Sequence, residues 1–128
     1  MKFLLDTHTL IWWASDDTKL SLKARKAMKA RASTLYVSAA SAYEMAYKFN
    51  IGKAPKVQAL LRDLQNLMAE HGLEPLPITL EHGRRAGELD GAHRDPWDRI
   101  LAAQAIVEDL AIISNDEKLS ELGAKRFW

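Results

Sequence analysis

Cysteine is absent from the 128 residues. That removes disulfides, thiolate zinc sites and cysteine nucleophiles together. An excess of one charge is also missing. The chain has 18 Lys and Arg against 17 Asp and Glu, for a formal net charge of +1. Nothing in that balance advertises a nucleic-acid binder, so any basic footprint has to be local. Long apolar runs are missing as well. None approaches the ~20 residues that a membrane span needs. The run after Met1 stops at Asp6, too soon for the core of a signal peptide. These absences suit a soluble, cytoplasmic protein with no membrane segment. What is present is a 48% hydrophobic composition, enough for a chain of this length to bury a core. The expectation is one domain spanning residues 1–128.

Apolar spacing along the chain alternates between strand and helix. Phe3-Leu4-Leu5 reads as a buried strand, followed by a helix over Thr7–Ala14. Ser21 caps a helix running to about Arg31. Leu35-Tyr36-Val37 is a second strand, and Ser38 or Ser41 caps the next helix, which carries Glu44 and ends near Gly52. Pro55 opens a helix with Val57, Leu60, Leu61, Leu64, Leu67 and Met68 at helical spacing, stopped by Gly72. The stretch "LEPLPI" fits only an edge strand, because Pro75 and Pro77 lack a ladder donor. Thr79 caps a short helix to about Gly87, and "GELDGAH" is a loop. Pro96 starts another helix. Ala111–Ser114 is a strand, a short helix ends at Gly123, and "KRFW" forms a last edge strand. The fold class is α/β, with a short, mostly parallel central sheet flanked by helices.

Several acids fall where such folds place ligand sites, outside the carboxyl ends of the strands. Asp6 directly follows the first strand, and Asp116 lies two residues beyond Ser114. Taken singly, each reads as a helix cap. "HRDPWDRILAAQA" adds two more. Pro96 suits the first helical position, which makes Asp95 the N-cap and gives it a sufficient structural role. Asp98 is the third helical residue. Its neighbours at helical spacing are Leu101, Ala102 and Ala105, and a carboxylate beside such a wall needs a partner. Arg99, adjacent in sequence, does not face it; a metal ion would meet the need. Glu44 sits in a helix with few other charges. In isolation it reads as a solvated residue paired with Lys48 at i+4.

The stretches "FLLDTH", "VSAASAYEMAYKFNIGK", "HRDPWDRILAAQA" and "IISNDEKL", in this order and spacing, resemble the PIN-domain family. Within it they look most like the VapC-type toxins, the ribonuclease half of toxin–antitoxin pairs. The resemblance covers nearly the whole chain, and "DPWDRILAAQA" is its most specific part. It implies four acids clustered at the carboxyl edge of a parallel sheet, holding Mg²⁺ or Mn²⁺. Those roles fall on Asp6, Glu44, Asp98 and Asp116. Thr7 and Ser114 match positions where the family often has hydroxyls near the site, and Asn115 stands where it varies. Two departures are aromatic swaps: Trp97 for the more usual Phe, and Tyr43 for Trp. The resemblance also implies an RNA substrate cut to a 5′-phosphate and a 3′-hydroxyl. As partners it implies a cognate antitoxin and a homodimer or higher assembly.

The chemistry agrees with that donor set. Mg²⁺ takes oxygen ligands and keeps several waters, so a few carboxylates suffice. Bound divalent ions activate water and neutralise developing charge. Carboxylates crowded without metal repel one another and raise some of their pKa values. For RNA contact, Lys19, Lys23, Arg25, Lys26, Lys29 and Arg31 form one basic segment. His82, Arg84 and Arg85 form another, although a solvated helix face explains most such residues. His8, His71 and His93 show no metal-ligand spacing. Leu10, Ile11, Trp12 and Trp13 are apolar beyond one helix stripe, which suits core packing with part left for a dimer or antitoxin contact. The rival reading is a phospho-acceptor receiver-like signalling domain with a Mg-binding Asp cluster. It would need a paired acid after strand one, an acceptor Asp after a middle strand and a Lys after the last. Here Asp6 stands singly, and "LYV" leads into Ser38 and alanines. A binding module with capping acids only is the third possibility.

Overall fold

The computed structural model describes residues 1–91 and 94–128. His93 lies outside the described residues. Five strands form one sheet in the order β3-β2-β1-β4-β5, and every pairing is parallel. They are β1 (Lys2–Leu5), β2 (Thr34–Ser38), β3 (Leu73–Leu76), β4 (Ala111–Ile113) and β5 (Lys125–Phe127). The central strand β1 is apolar at three successive positions because both its faces are covered. Phe3 and Leu5 enter one hydrophobic cluster with Leu10, Leu20, Met28 and Met45. Leu4 points the other way, into a cluster with Leu101, Ala105, Leu119 and Leu122. The period-2 alternation of a strand therefore assigns the two helical layers.

Among the described residues the helices are α1 (Thr7–Ala14), α2 (Leu22–Lys29), α3 (Ala39–Asn50), α4 (Gln58–Arg62), α5 (Leu64–His71), α6 (Leu80–Glu88), α7 (Pro96–Val107) and α8 (Lys118–Glu121). Ser21, Ser38, Thr79 and Asp95 cap their helices through side-chain oxygens, as the sequence signals indicate. Both predicted edge strands, β3 with Pro75 and β5, occupy the sheet edges. None of the described helices is long and apolar enough to cross a membrane.

Two expectations change. The helix expected from Pro55 through Met68 is broken into a 3₁₀ turn at Pro55–Val57, then α4 and α5. The break is at Asp63 (φ −119°, ψ 22°), whose carboxylate accepts from Asn66 Nδ2 at 2.7 Å. The apolar positions keep their spacing across the break. His82 is no part of a surface basic cluster. It is 1% exposed and completes a capping box, its Nδ1 accepting from the Thr79 N–H at 3.0 Å. Arg84 pairs with Glu88 at 2.7 Å, and Arg25 with Asp16 at 2.6 Å, so both are tied up locally. On α1, Leu10 is fully buried. Ile11, Trp12 and Trp13 are half-buried against the first cluster. Trp12 meets Trp128 edge-on at 5.9 Å, so core packing accounts for much of that apolar excess.

Candidate functional site

The strand order reverses at β1. The chain steps outward from β1 to β2 and β3, and β4 then returns to β1's other side. Ligand sites in open parallel sheets lie at such a switch point, beyond the carboxyl ends of the two strands. Here those ends carry Asp6 and Ser114.

Asp6 occupies the N-cap position of α1, yet its side chain makes no cap hydrogen bond. Instead Oδ2 accepts from the Ser114 hydroxyl at 2.7 Å. Ser114 Oγ in turn accepts from the Asp116 N–H at 3.0 Å, so one hydroxyl links the ends of β1 and β4. Asp6 is 5% exposed. Burial pushes its carboxyl above the ordinary value of 3.8, with a further push from Glu44. The Ser114 hydroxyl, His8 and the Thr7 N–H oppose the shift. Capping, the plainer expectation for Asp6, does not describe what its carboxylate does.

Glu44 is also 5% exposed. The solvated reading fails for it because its side chain turns inward from α3. The expected i+4 pair is present, with Lys48 Nζ at 2.6 Å from Oε2. The Ser38 cap places α3 at the end of β2. Ser38 Oγ also donates to Gln104 Oε1 of α7, which ties the start of α3 to the middle of α7. Thr7 Oγ1 donates to Ser41 Oγ at 2.9 Å, joining α1 to α3 beside Asp6.

In α7, Asp95 performs its expected role. Oδ1 accepts from the N–H groups of Trp97 at 3.0 Å and Asp98 at 3.4 Å. Asp98 is half-buried in the first turn, and Leu101 to Ala105 behind it are buried. Arg99 turns away, as expected, to the Ala86 and Leu89 carbonyls. Asp116 is half-buried and accepts from the Lys118 N–H at 3.0 Å, which closes the turn before α8. The N-cap of that helix is Glu117, so the expected helix-cap role does not hold for Asp116. Asn115 is exposed. Among the described residues, no three His, Asp or Glu side chains converge tightly enough to hold one metal ion. The structure thus brings Asp6, Glu44, Ser114, Thr7 and the Asp116 backbone together at the switch point. α7, which carries Asp98, packs against α3 through Trp97, whose ring meets Tyr43 and Tyr47.

Sequence reasoning missed two supports. Arg126 Nη1 donates to the Ser114 carbonyl at 3.1 Å, holding the turn before Asp116. Gln104 is fully buried and bonds Ser38 and the Pro77 carbonyl. A Gln inside an apolar helix wall was the available signal for the second. Nothing in the sequence pointed to the first.

The family profile of the PIN domain matches residues 3–125. The chain belongs to the PIN-domain family. A curated relative, Ribonuclease VapC22 of Mycobacterium tuberculosis, is 32% identical over 117 residues, covering 91% of this chain and 88% of its own. Two solved structures share the fold of this PIN domain. VapBC2 from Rickettsia felis, bound to a promoter DNA fragment, aligns with a TM-score of 0.74 at 18% identity, over 99% of this chain and 98% of that one. FitAcB from Neisseria gonorrhoeae aligns at 0.63 with 18% identity, over 98% and 96%. The receiver reading falls with this. A receiver-type sheet runs 2-1-3-4-5, whereas this one runs 3-2-1-4-5.

Proposed function

We propose that this PIN domain is a divalent-metal-dependent endoribonuclease, the toxin of a type II toxin–antitoxin pair. It hydrolyses RNA phosphodiester bonds in the cytoplasm. The observation that carries this reading is Asp6. A buried carboxylate at the switch point, unused as a helix cap and subject to the charge of a second buried acid, Glu44, is costly without a cation.

The residues present fit Mg²⁺ or Mn²⁺ by donor chemistry. Every candidate donor is a hard oxygen, and no histidine or thiolate is required. Asp6, Asp98 and Asp116 would hold the metal, with Glu44 as a further ligand or an orienter of water. When bound, the ion lowers the pKa of water and neutralises charge on the phosphate. The chain's own groups set the conditions for that. Ser114 fixes one oxygen of Asp6 and leaves the other available. Lys48 holds Glu44 in place and offsets its charge. Thr7 and Ser41 fix the floor between α1 and α3. Asp95 sets the first turn of α7, which carries Asp98.

The pairing with a cognate antitoxin and assembly as a homodimer follow from the VapC resemblance and belong to the same proposal. The test is to express the wild-type chain and the Asp6→Asn variant and sequence the ends of cellular RNA. New 5′-phosphate ends, absent with Asp6→Asn, support the reading. Identical end profiles from the two chains would remove it.

A further inference from the structure

Three aromatic rings lie where α3 meets the start of α7, and neither core cluster includes them. Tyr43 and Tyr47 stand at i and i+4 on α3, with ring planes 6° apart and centroids 6.0 Å apart. Trp97 tilts against both, at 6.0 and 5.8 Å. Tyr43 is 60% exposed and Tyr47 44%, so these rings contribute little to core burial. Their placement follows the acids. Glu44 is the residue after Tyr43, and Asp98 the residue after Trp97.

Positive charge accompanies the rings. Lys48 Nζ lies 5.8 Å from the Trp97 ring centroid while paired with Glu44 at 2.6 Å. Arg94, just before the Asp95 cap, and Lys53, just beyond α3, are both exposed. A polyanion approaching Asp6, Glu44 and Asp98 meets like charge, so phosphate contacts alone are poorly placed to hold it there. Stacking on base faces carries no such penalty. Exposed aromatic surfaces with a cationic border are the combination that binds unpaired strands without strict sequence preference. Duplex RNA hides its base faces within its own stack, and its deep, narrow major groove admits no side chains.

We infer that Tyr43, Tyr47 and Trp97 form a stacking platform for unpaired bases beside the cleaved phosphodiester. This rests on the ribonuclease reading. Tyr43 and Tyr47 are positioning residues in it and take no part in bond cleavage.

The test compares wild type with the Tyr43→Leu/Tyr47→Leu and Tyr43→Phe/Tyr47→Phe double variants. Leu keeps apolar bulk and helix propensity, whereas Phe keeps the ring face. The probe is a short fluorescein-labelled single-stranded RNA, alone and annealed to its complement. Binding is read by anisotropy in EDTA, and KM and kcat by cleavage in Mg²⁺. Circular dichroism melts establish that each variant is folded. The expected result is a rise of roughly tenfold or more in Kd and KM for the Leu pair, with kcat little changed. The Phe pair behaves as wild type, and the duplex binds more weakly to all three. If the Leu pair binds and cleaves as wild type does, the platform is wrong and the nuclease reading stands. If the Leu pair loses only self-association in sedimentation, the surface is a protein interface and the inference is overturned. If wild type neither binds nor cleaves the single strand, the inference and the ribonuclease reading fall together.

Discussion

At the scale of the residue, Asp6 and Ser114 carry the sharpest predictions. Asp6 is held above its ordinary pKa chiefly by burial, so the fold favours its neutral form. The stability from this group is fully present below the ordinary carboxylate range and is lost as pH rises through the raised value. In EDTA, Asp6→Asn is therefore expected to melt higher than wild type at neutral pH, since the amide oxygen still accepts from Ser114. The gap closes in acid, where wild-type Asp6 is already neutral. Thermal melts across that pH range check this. A gap that instead widened on acidification would show that burial does not dominate. Ser114→Ala removes the hydroxyl that donates to Asp6 and accepts from the Asp116 N–H. Groups that orient metal ligands typically cost about 10–100-fold in affinity or activity when lost. The expected outcome is a loss of that size in RNA cleavage at fixed Mg²⁺, with part of it recovered at higher Mg²⁺. Unchanged cleavage would remove Ser114 from the site.

At the scale of the element, α7 separates two aspartates that the sequence sets three positions apart. Asp95 bonds two backbone N–H groups, whereas Asp98 stands half-buried in the first turn. Asp95→Ala is expected to lower stability by about 1 kcal/mol, the usual cost of a lost N-cap, with Asp95→Asn nearly neutral. Asp98→Asn is expected to do the opposite, abolishing cleavage with little change in stability. Urea unfolding and an RNA cleavage assay on the same three variants decide it. Loss of activity in Asp95→Asn with Asp98→Asn active would reverse the roles. Helix boundaries were legible wherever a cap residue announced them, as Ser21, Ser38, Thr79 and Asp95 did. The α4–α5 break was not, because Asp63 interrupts the backbone without disturbing the apolar spacing. His82 was misread for a related reason. A capping box is normally closed by Glu or Gln, and here a buried imidazole closes it.

At the scale of the whole molecule, the sheet order converts separate signals into one site. Strand positions and edge prolines were readable from periodicity, but periodicity alone does not say that β4 lies beside β1. That adjacency puts Ser114 against Asp6, residues 108 positions apart. It explains why the acids looked like independent caps until the chain's resemblance to PIN domains joined them. Glu44 shows the same limit. Its pairing with Lys48 was legible at i+4, whereas its burial depends on α1 and α3 meeting over the end of β1. A site assembled this way stores unfavourable charge in the metal-free fold, as Glu44 pushes Asp6 upward. A divalent ion that binds the folded chain relieves that repulsion and stabilises by mass action, by about 2.7 kcal/mol at a hundredfold excess over Kd. In a domain of this size that corresponds to a rise of several degrees in Tm. Titrating Mg²⁺ or Mn²⁺ into EDTA-treated wild type is therefore expected to raise Tm progressively, with no rise for Asp6→Asn. An equal rise in both chains would place the metal elsewhere than Asp6, and no rise in either would argue against a metal-binding fold.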